Sequence, residues 1–332
     1  QIVHATPASY VAHNESRQNY NELADSFFDD RINGQFVADV MLGGGTRYFE
    51  REDRNVTAEF IDAGYAYVDT YNKLATLPAG ENVLGLFAEV GLPWALDDLR
   101  KNRLAYLTEH AIKHLENDKG FFLLVEASQV DWAGHSNDIA AAMAEMHDLN
   151  LALEYLVSYV EEHPDTLVVL TADHSTGGLT IGARGEYRWA PEWLHKLKQS
   201  PVTIAQNMTK ADSPAAYVSE ALGFKLNDEE SSQVTELAKQ ADLEARFDGI
   251  KALLDIRSNT GWTTTGHTGV DVEVFAFGAG SSQFYGQYDN TDIAKKLFGL
   301  LPKSAPAVKT LTKTVSKEEK SQCDFETDWR CE

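Results

Sequence analysis

Apolar positions in this chain follow two rhythms. Between residues 99 and 115, Leu104, Leu107, Ala111 and Leu115 recur every three or four positions, the spacing of one helix face. Gly120 follows as a terminator. Residues 121–127 then form a nearly unbroken apolar run that carries Glu126, the pattern of a central strand buried on both faces. Asn137 and Asp138 can cap a long helix that reaches Glu162, with Ile139, Met143, Met146, Leu153, Val157 and Val160 on its stripe. Pro164 stops it, and residues 166–172 read as the next buried strand. Strand, helix, strand predicts a parallel βαβ unit and an α/β fold.

The flanks fill in around this unit. Residues 38–42 read as a short strand entering Gly43-Gly44-Gly45, and residues 64–68 as another. No Lys-Ser/Thr follows the three glycines, so they predict a turn rather than a phosphate cradle. Residues 191–208 and 213–255 are polar with helical spacing and predict a peripheral insertion over 183–260. Residues 270–277 alternate as a strand, and residues 291–301 predict a closing helix. Beyond Pro302 the chain turns rich in Lys, Ser, Thr and Glu, which separates a domain over 1–302 from a polar tail over 303–332.

Composition narrows the function classes. A hydrophobic content of 43% over 332 residues supports a substantial core. Twenty-nine Lys and Arg against 51 Asp and Glu, a net charge of −22, argue against nucleic acid or an anionic membrane as partner. No apolar run approaches the roughly 18 residues of a membrane span. The only cysteines, Cys323 and Cys331, predict a small disulfide-closed loop and an oxidising compartment. The N-x-S/T triplets at Asn14, Asn55 and Asn207 read as chance. Gln1 stands in place of a start Met and the first motif begins at His4, the pattern of the later part of a longer protein.

Chemistry concentrates in three short segments: Glu126 through His135, Asp173-His174 within Thr171 to Gly178, and His267 between Gly266 and Thr268. Each sets Asp, Glu or His among small residues, and the first two follow strand-like runs. Ligands gather beyond the carboxyl ends of strands in open α/β sheets. Carboxylate oxygen and neutral imidazole nitrogen are what zinc accepts where thiolates are absent. Asp131 and His135 are four apart, but Gly134 between them suggests a turn rather than a helix. Glu126 at a strand end is a hard oxygen donor suited to magnesium. Together the clusters predict a multi-metal hydrolytic site, whose cations would reverse the sign of an otherwise repulsive field for an anionic substrate. His110 and His114 also have ligand spacing, but on a charged helix without acidic glycine loops. They are expected at the surface, with His13, His147, His163 and His195.

His4-Ala5-Thr6-Pro7-Ala8, the run Glu126 to His135, Thr171-Ala172-Asp173-His174 with Thr176-Gly177-Gly178-Leu179, and Gly266-His267-Thr268-Gly269 resemble, in order and context, the motifs of alkaline phosphatases. The resemblance extends from His4 to about Leu301. It implies a mostly parallel central sheet flanked by helices on both faces. It also implies hydrolysis of phosphate monoesters through a phosphoserine intermediate with two Zn²⁺ and one Mg²⁺. By matching position, Asp131, His135 and His267 would hold the first zinc, and Asp173 and His174 the second. Glu126 and Thr6 would hold magnesium, and Arg17 would bind phosphate. His4 and Trp132 fall at positions that tune the magnesium site and the phosphate water, in a combination similar to cold-adapted marine members. The resemblance further implies a homodimer, periplasmic or secreted, that takes small phosphate monoesters and inorganic phosphate.

The family's nucleophilic Ser lies in an Asp-Ser-Ala motif that precedes the position of His4, and residues 1–332 do not contain it; Asp25-Ser26 and Asp212-Ser213 share only a dipeptide. Two alternatives therefore stand beside the hydrolase: a non-catalytic zinc- or phosphate-binding fragment, and a related phosphodiesterase or sulfatase.

Overall fold

The structure, a computed structural model, describes residues 1–301 and the backbone of Lys309–Thr310. The rest of the predicted polar tail, with Cys323 and Cys331 and the loop expected between them, lies outside the described residues. The described residues divide into two compact units, one of residues 1–93, 106–126 and 301, the other of residues 94–105 and 127–300.

The first unit is built on a parallel three-stranded sheet. Val40–Gly43 and Ala66–Val68 both pair with Val83–Leu86, which lies between them and is buried at every position. The first two were expected. Val83–Leu86 was not, because its Val-Leu-Gly-Leu run is short and Gly85 breaks the apolar pattern. Gly85 leaves room for its neighbours, since a Cβ there would lie 2.7 Å from the ends of both the Leu42 and Phe87 side chains. The glycines after Val40–Gly43 make a turn, as expected: a Cβ on Gly44 would overlap the Val90 carbonyl oxygen at 2.1 Å. Beside the sheet, Phe27, Phe49, Phe60 and Leu84 form the core, with Phe27 edge-on to Phe49.

The helix predicted over 99–115 runs Arg103–Leu115. His110 and His114 correct the sequence reading: both are buried. The polar residues around them misled, because His110 faces its own turn, with Nδ1 2.9 Å from the Tyr106 carbonyl and the ring against Tyr106. Burial, with Lys113 and His110 nearby, holds His114 below the usual imidazole range, which suits a neutral interior ring.

Residues 121–127 also correct the reading. They form no strand, and Phe122 and Leu124 are 47% and 36% exposed. The expected parallel βαβ unit is therefore not formed among the described residues. A strand exists only where a neighbour completes its ladder. None of the described strands pairs with this run, and the strand after the long helix takes an antiparallel partner instead.

That strand, Leu167–Thr171, belongs to the second unit and pairs with Val274–Gly278 from Thr171↔Val274 to Leu167↔Gly278. The helix before it runs Ile139–Glu162, capped as predicted. Asp138 accepts from the amides of Ala140 at 3.0 Å and Ala141 at 2.9 Å. The polar stretch after residue 190 becomes Pro191–Lys196, Pro201–Asn207, Pro214–Leu222, Asp228–Leu237 and Leu243–Ser258. These helices pack around a core of Leu194, Ile204, Leu222, Ile250 and Leu254 that they share with Ile139 and Ala140 of the long helix. Asn290–Leu300 follows close to the predicted closing helix. No helix among the described residues is long and apolar enough to cross a membrane.

Candidate metal centre

Three segments of the second unit bring donors together. The first is the helix Gln129–His135, where sequence had suggested a turn. Asp131 and His135 lie one turn apart on one face, with Asp131 Oδ2 3.5 Å from His135 Nε2. Gly134 is there for contact rather than for bending. A Cβ would stand 2.9 Å from Thr176 Cβ and 3.2 Å from its carbonyl oxygen, so glycine lets the helix close on the next segment.

The second segment leaves the strand Leu167–Thr171. The chain bends at Asp173, and the bend turns two adjacent donors the same way, with Asp173 Oδ2 3.2 Å from His174 Nε2. The third is His267–Thr268, which pairs antiparallel with Ser175–Thr176 in the register His267↔Thr176. That ribbon lays the His267 ring on His174, centroids 3.4 Å apart and 20° from parallel. Gly177 and Gly178, at φ of 80° and 57°, then turn the chain where a side chain would be strained.

Asp131 is the centre of the group. Its Oδ1 lies 3.7 Å from His267 Nε2 and 4.0 Å from His174 Nδ1. One donor atom from each of Asp131, His174 and His267 falls within 4.8 Å of the others, close enough to share an ion. His135 Nε2 joins them 3.0 Å from His267 Nε2. Its other nitrogen, Nδ1, lies 2.6 Å from the Thr265 carbonyl. As a donor to that carbonyl, it fixes the tautomer that leaves Nε2 available as a ligand. Partial burial and the neighbouring His174 lower the His267 pKa, favouring the neutral ring that binds metal. The sequence placed Thr176 in a motif but gave it no role. Its hydroxyl donates to Asp131 Oδ1 at 2.5 Å and lies 3.3 Å from His174 Nδ1, tying two donor segments together. Its place two residues after His174, beside Gly177, was the available signal.

The donor set of carboxylate and neutral imidazole suits zinc. Trp132, on the same helix, is buried. The remaining predicted residues lie in the first unit. Thr6 is on the helix Ala5–Val11, and Tyr10 of that helix stacks on Phe122 at 5.9 Å, in the run that leads to Glu126. Glu126 is half-buried. Arg17 is exposed, with Nη2 3.3 Å from Nε2 of the buried His4, whose ring stacks on Tyr20 at 6.2 Å. Asp25 and Ser26 are embedded in the helix Tyr20–Asp29, where Arg51 pairs with Asp25 at 2.8 Å.

The family model described as alkaline phosphatase matches residues 1–302. This chain belongs to the alkaline phosphatase family. It is 44% identical to alkaline phosphatase 3 of Bacillus subtilis (strain 168) over 306 residues, 91% of this chain and 66% of that protein. Alkaline phosphatase 4 of the same organism is also 44% identical, with the same coverage. The chain thus spans just under two thirds of these relatives' length. Among solved structures, the cold-active alkaline phosphatase of a psychrophile, Shewanella sp., is 46% identical with a TM-score of 0.85, over 91% of this chain and 74% of that one. The alkaline phosphatase fold is therefore shared. A variant of TAB5 alkaline phosphatase, described with Mg bound in its M3 site, is 25% identical with a TM-score of 0.61, over 90% of this chain and 68% of that one.

Proposed function

We propose that the protein is a metal-dependent phosphate monoester hydrolase. The observation that carries this reading is the convergence of Asp131, His135, His174 and His267 in a chain of the alkaline phosphatase family. Asp131, His135 and His267 would hold one zinc, and Asp173 and His174 a second. Glu126 and Thr6 would hold magnesium, in keeping with their oxygen donors. When bound, the ions supply Lewis acidity, a lowered pKa for a bound oxygen, and positive charge in a chain of net charge −22.

The chain's own residues set the geometry. Thr265 aims His135, Thr176 aims Asp131, and the two-stranded ribbon fixes His267 against His174. Arg17 offers a planar fork to two phosphoryl oxygens, and its contact with His4 restrains it. His4 and Trp132 tune the magnesium site and the water next to phosphate. Reaction through phosphoserine would need a nucleophilic Ser of the family's Asp-Ser-Ala kind, and residues 1–332 contain no such motif. The parallel strands Val40–Gly43, Ala66–Val68 and Val83–Leu86 support a mostly parallel central sheet flanked by helices on both faces. Family membership supports a homodimer in the periplasm or medium that acts on small phosphate monoesters, with 183–260 inserted in a domain over 1–302.

Relative rates on matched esters test this reading. With zinc and magnesium supplied, the intact protein should hydrolyse an aryl phosphate monoester at least about a hundredfold faster than the corresponding diester or sulfate, a gap of roughly 2.7 kcal/mol in barrier. A faster diester or sulfate would move the assignment to that class. Saturable zinc binding without any hydrolysis would favour the non-catalytic alternative.

A further inference from the structure

The seven-residue helix Gln129–His135 is too short to persist alone, since isolated helices under about 12 residues are marginal. Its two predicted zinc ligands therefore depend on what the rest of the unit does to it. One support is the Gly134–Thr176 contact. A second comes from the helix Leu243–Ser258, far along the sequence: Lys251 Nζ donates to the Ser136 carbonyl at 2.6 Å. Ser136 is the C-cap of the ligand helix, directly after His135. Carbonyls at a helix C-terminus lack partners within the helix and carry its negative pole, so an ammonium there both satisfies an acceptor and opposes the dipole.

The lysine is held for this task. Its side chain is 14% exposed, its ammonium pairs with Asp248 at 2.8 Å, and it lies 4.2 Å from the centre of the Phe247 ring. Two carboxyls feel its charge, Asp138 at the cap of the next helix and Asp255. Burial raises both against the opposing pull of Lys251, leaving them at about 6 and about 7. Asp255 in turn accepts from Trp262 Nε1 at 3.3 Å, and a Cβ on Gly177 would meet the Trp262 ring at 2.7 Å. The same helix therefore backs both the Asp131–His135 segment and the glycine turn after His174.

We propose that Lys251 is a positioning residue for the metal centre, holding the end of the ligand helix so that Asp131 and His135 present their donors together. It touches neither the expected metal nor substrate. The inference rests on the metal-centre reading given above.

Zinc affinity, measured by competition with a chromophoric chelator on the purified chain, tests it. Lys251→Met should weaken zinc binding by about tenfold, the lower end of the range for losing an outer-shell partner. Lys251→Arg, which restores charge and donor, should recover most of the loss. Val234→Ala, in the core of the same unit, controls for destabilisation and should leave affinity unchanged even where it lowers Tm as much. If Lys251→Met does not fold, Lys251→Gln is read in the same way. Wild-type affinity in the neutral variant, or an equal loss in Val234→Ala, overturns the proposal. A wild-type chain that binds no zinc overturns the metal-centre reading itself, and this inference with it.

Discussion

Replacing Asp131 with alanine should lower zinc affinity by more than about a hundredfold, beyond the ten- to hundredfold typical of losing an outer-shell partner. The reason is geometric. Asp131 Oδ2 faces His135 at 3.5 Å, and Oδ1 faces His267 at 3.7 Å and His174 at 4.0 Å. Its carboxylate faces all three rings, and without it the first zinc would keep only the imidazoles of His135 and His267. The side chain is partly exposed and outside the core, so the fold should survive. Dialysis against buffered zinc followed by elemental analysis reads the result, with circular dichroism confirming structure. Retention of wild-type zinc by the folded variant would remove Asp131 from the centre.

Arg103→Met should produce the largest loss of stability, about 3–5 kcal/mol, the usual cost of stripping one partner from a buried ionic group. Arg103 is 4% exposed. Its Nε donates to Asp148 Oδ2 at 3.0 Å, Nη2 donates to Glu145, and Nη1 lies 3.9 Å from Asp98 Oδ2. The two main carboxylates also accept backbone amides, Glu145 from Ala95 at 2.8 Å and Asp148 from Leu104 at 3.2 Å, so the cluster pins residues 94–105 to the long helix. Burial already raises the pKa of Glu145 and Asp148, with Arg103 opposing that rise.

Removing the guanidinium leaves the rise unopposed and fixes a sign. A carboxyl whose folded pKa exceeds its unfolded value of about 4 stabilises the fold at low pH and loses that contribution as pH rises. The variant's deficit should therefore be larger at pH 8 than at pH 5. Urea unfolding at both values measures it, and a deficit below about 1 kcal/mol, or one that shrinks as pH rises, would refute this role for Arg103.

What could be read from the sequence divides along a physical line. Local signals were legible: Asp138 caps Ile139–Glu162, and Leu104, Leu107 and Ala111 mark the helix Arg103–Leu115. The Asp and His clusters were legible as candidates too, and the structure brings Asp131, His135, His174 and His267 close together. Features set by distant neighbours were not. Residues 121–127 have the composition of a central strand but no ladder partner among the described strands, and pairing cannot be read from one segment. Gly134 looked like a turn because its contact, Thr176, lies 42 residues on. His110 and His114 looked exposed because their neighbours in sequence are charged, although their neighbours in space are not all so. The Arg103 cluster and Lys251 escaped notice for the same reason, since each joins residues far apart in the chain.

The most direct measurement is phosphate release from a simple monoester by the intact protein, taken metal-loaded, after chelation, and after zinc and magnesium are restored. A metal-dependent phosphomonoesterase releases phosphate in the first state, stops in the second and recovers in the third. Release that persists at full rate after complete chelation would contradict the assignment.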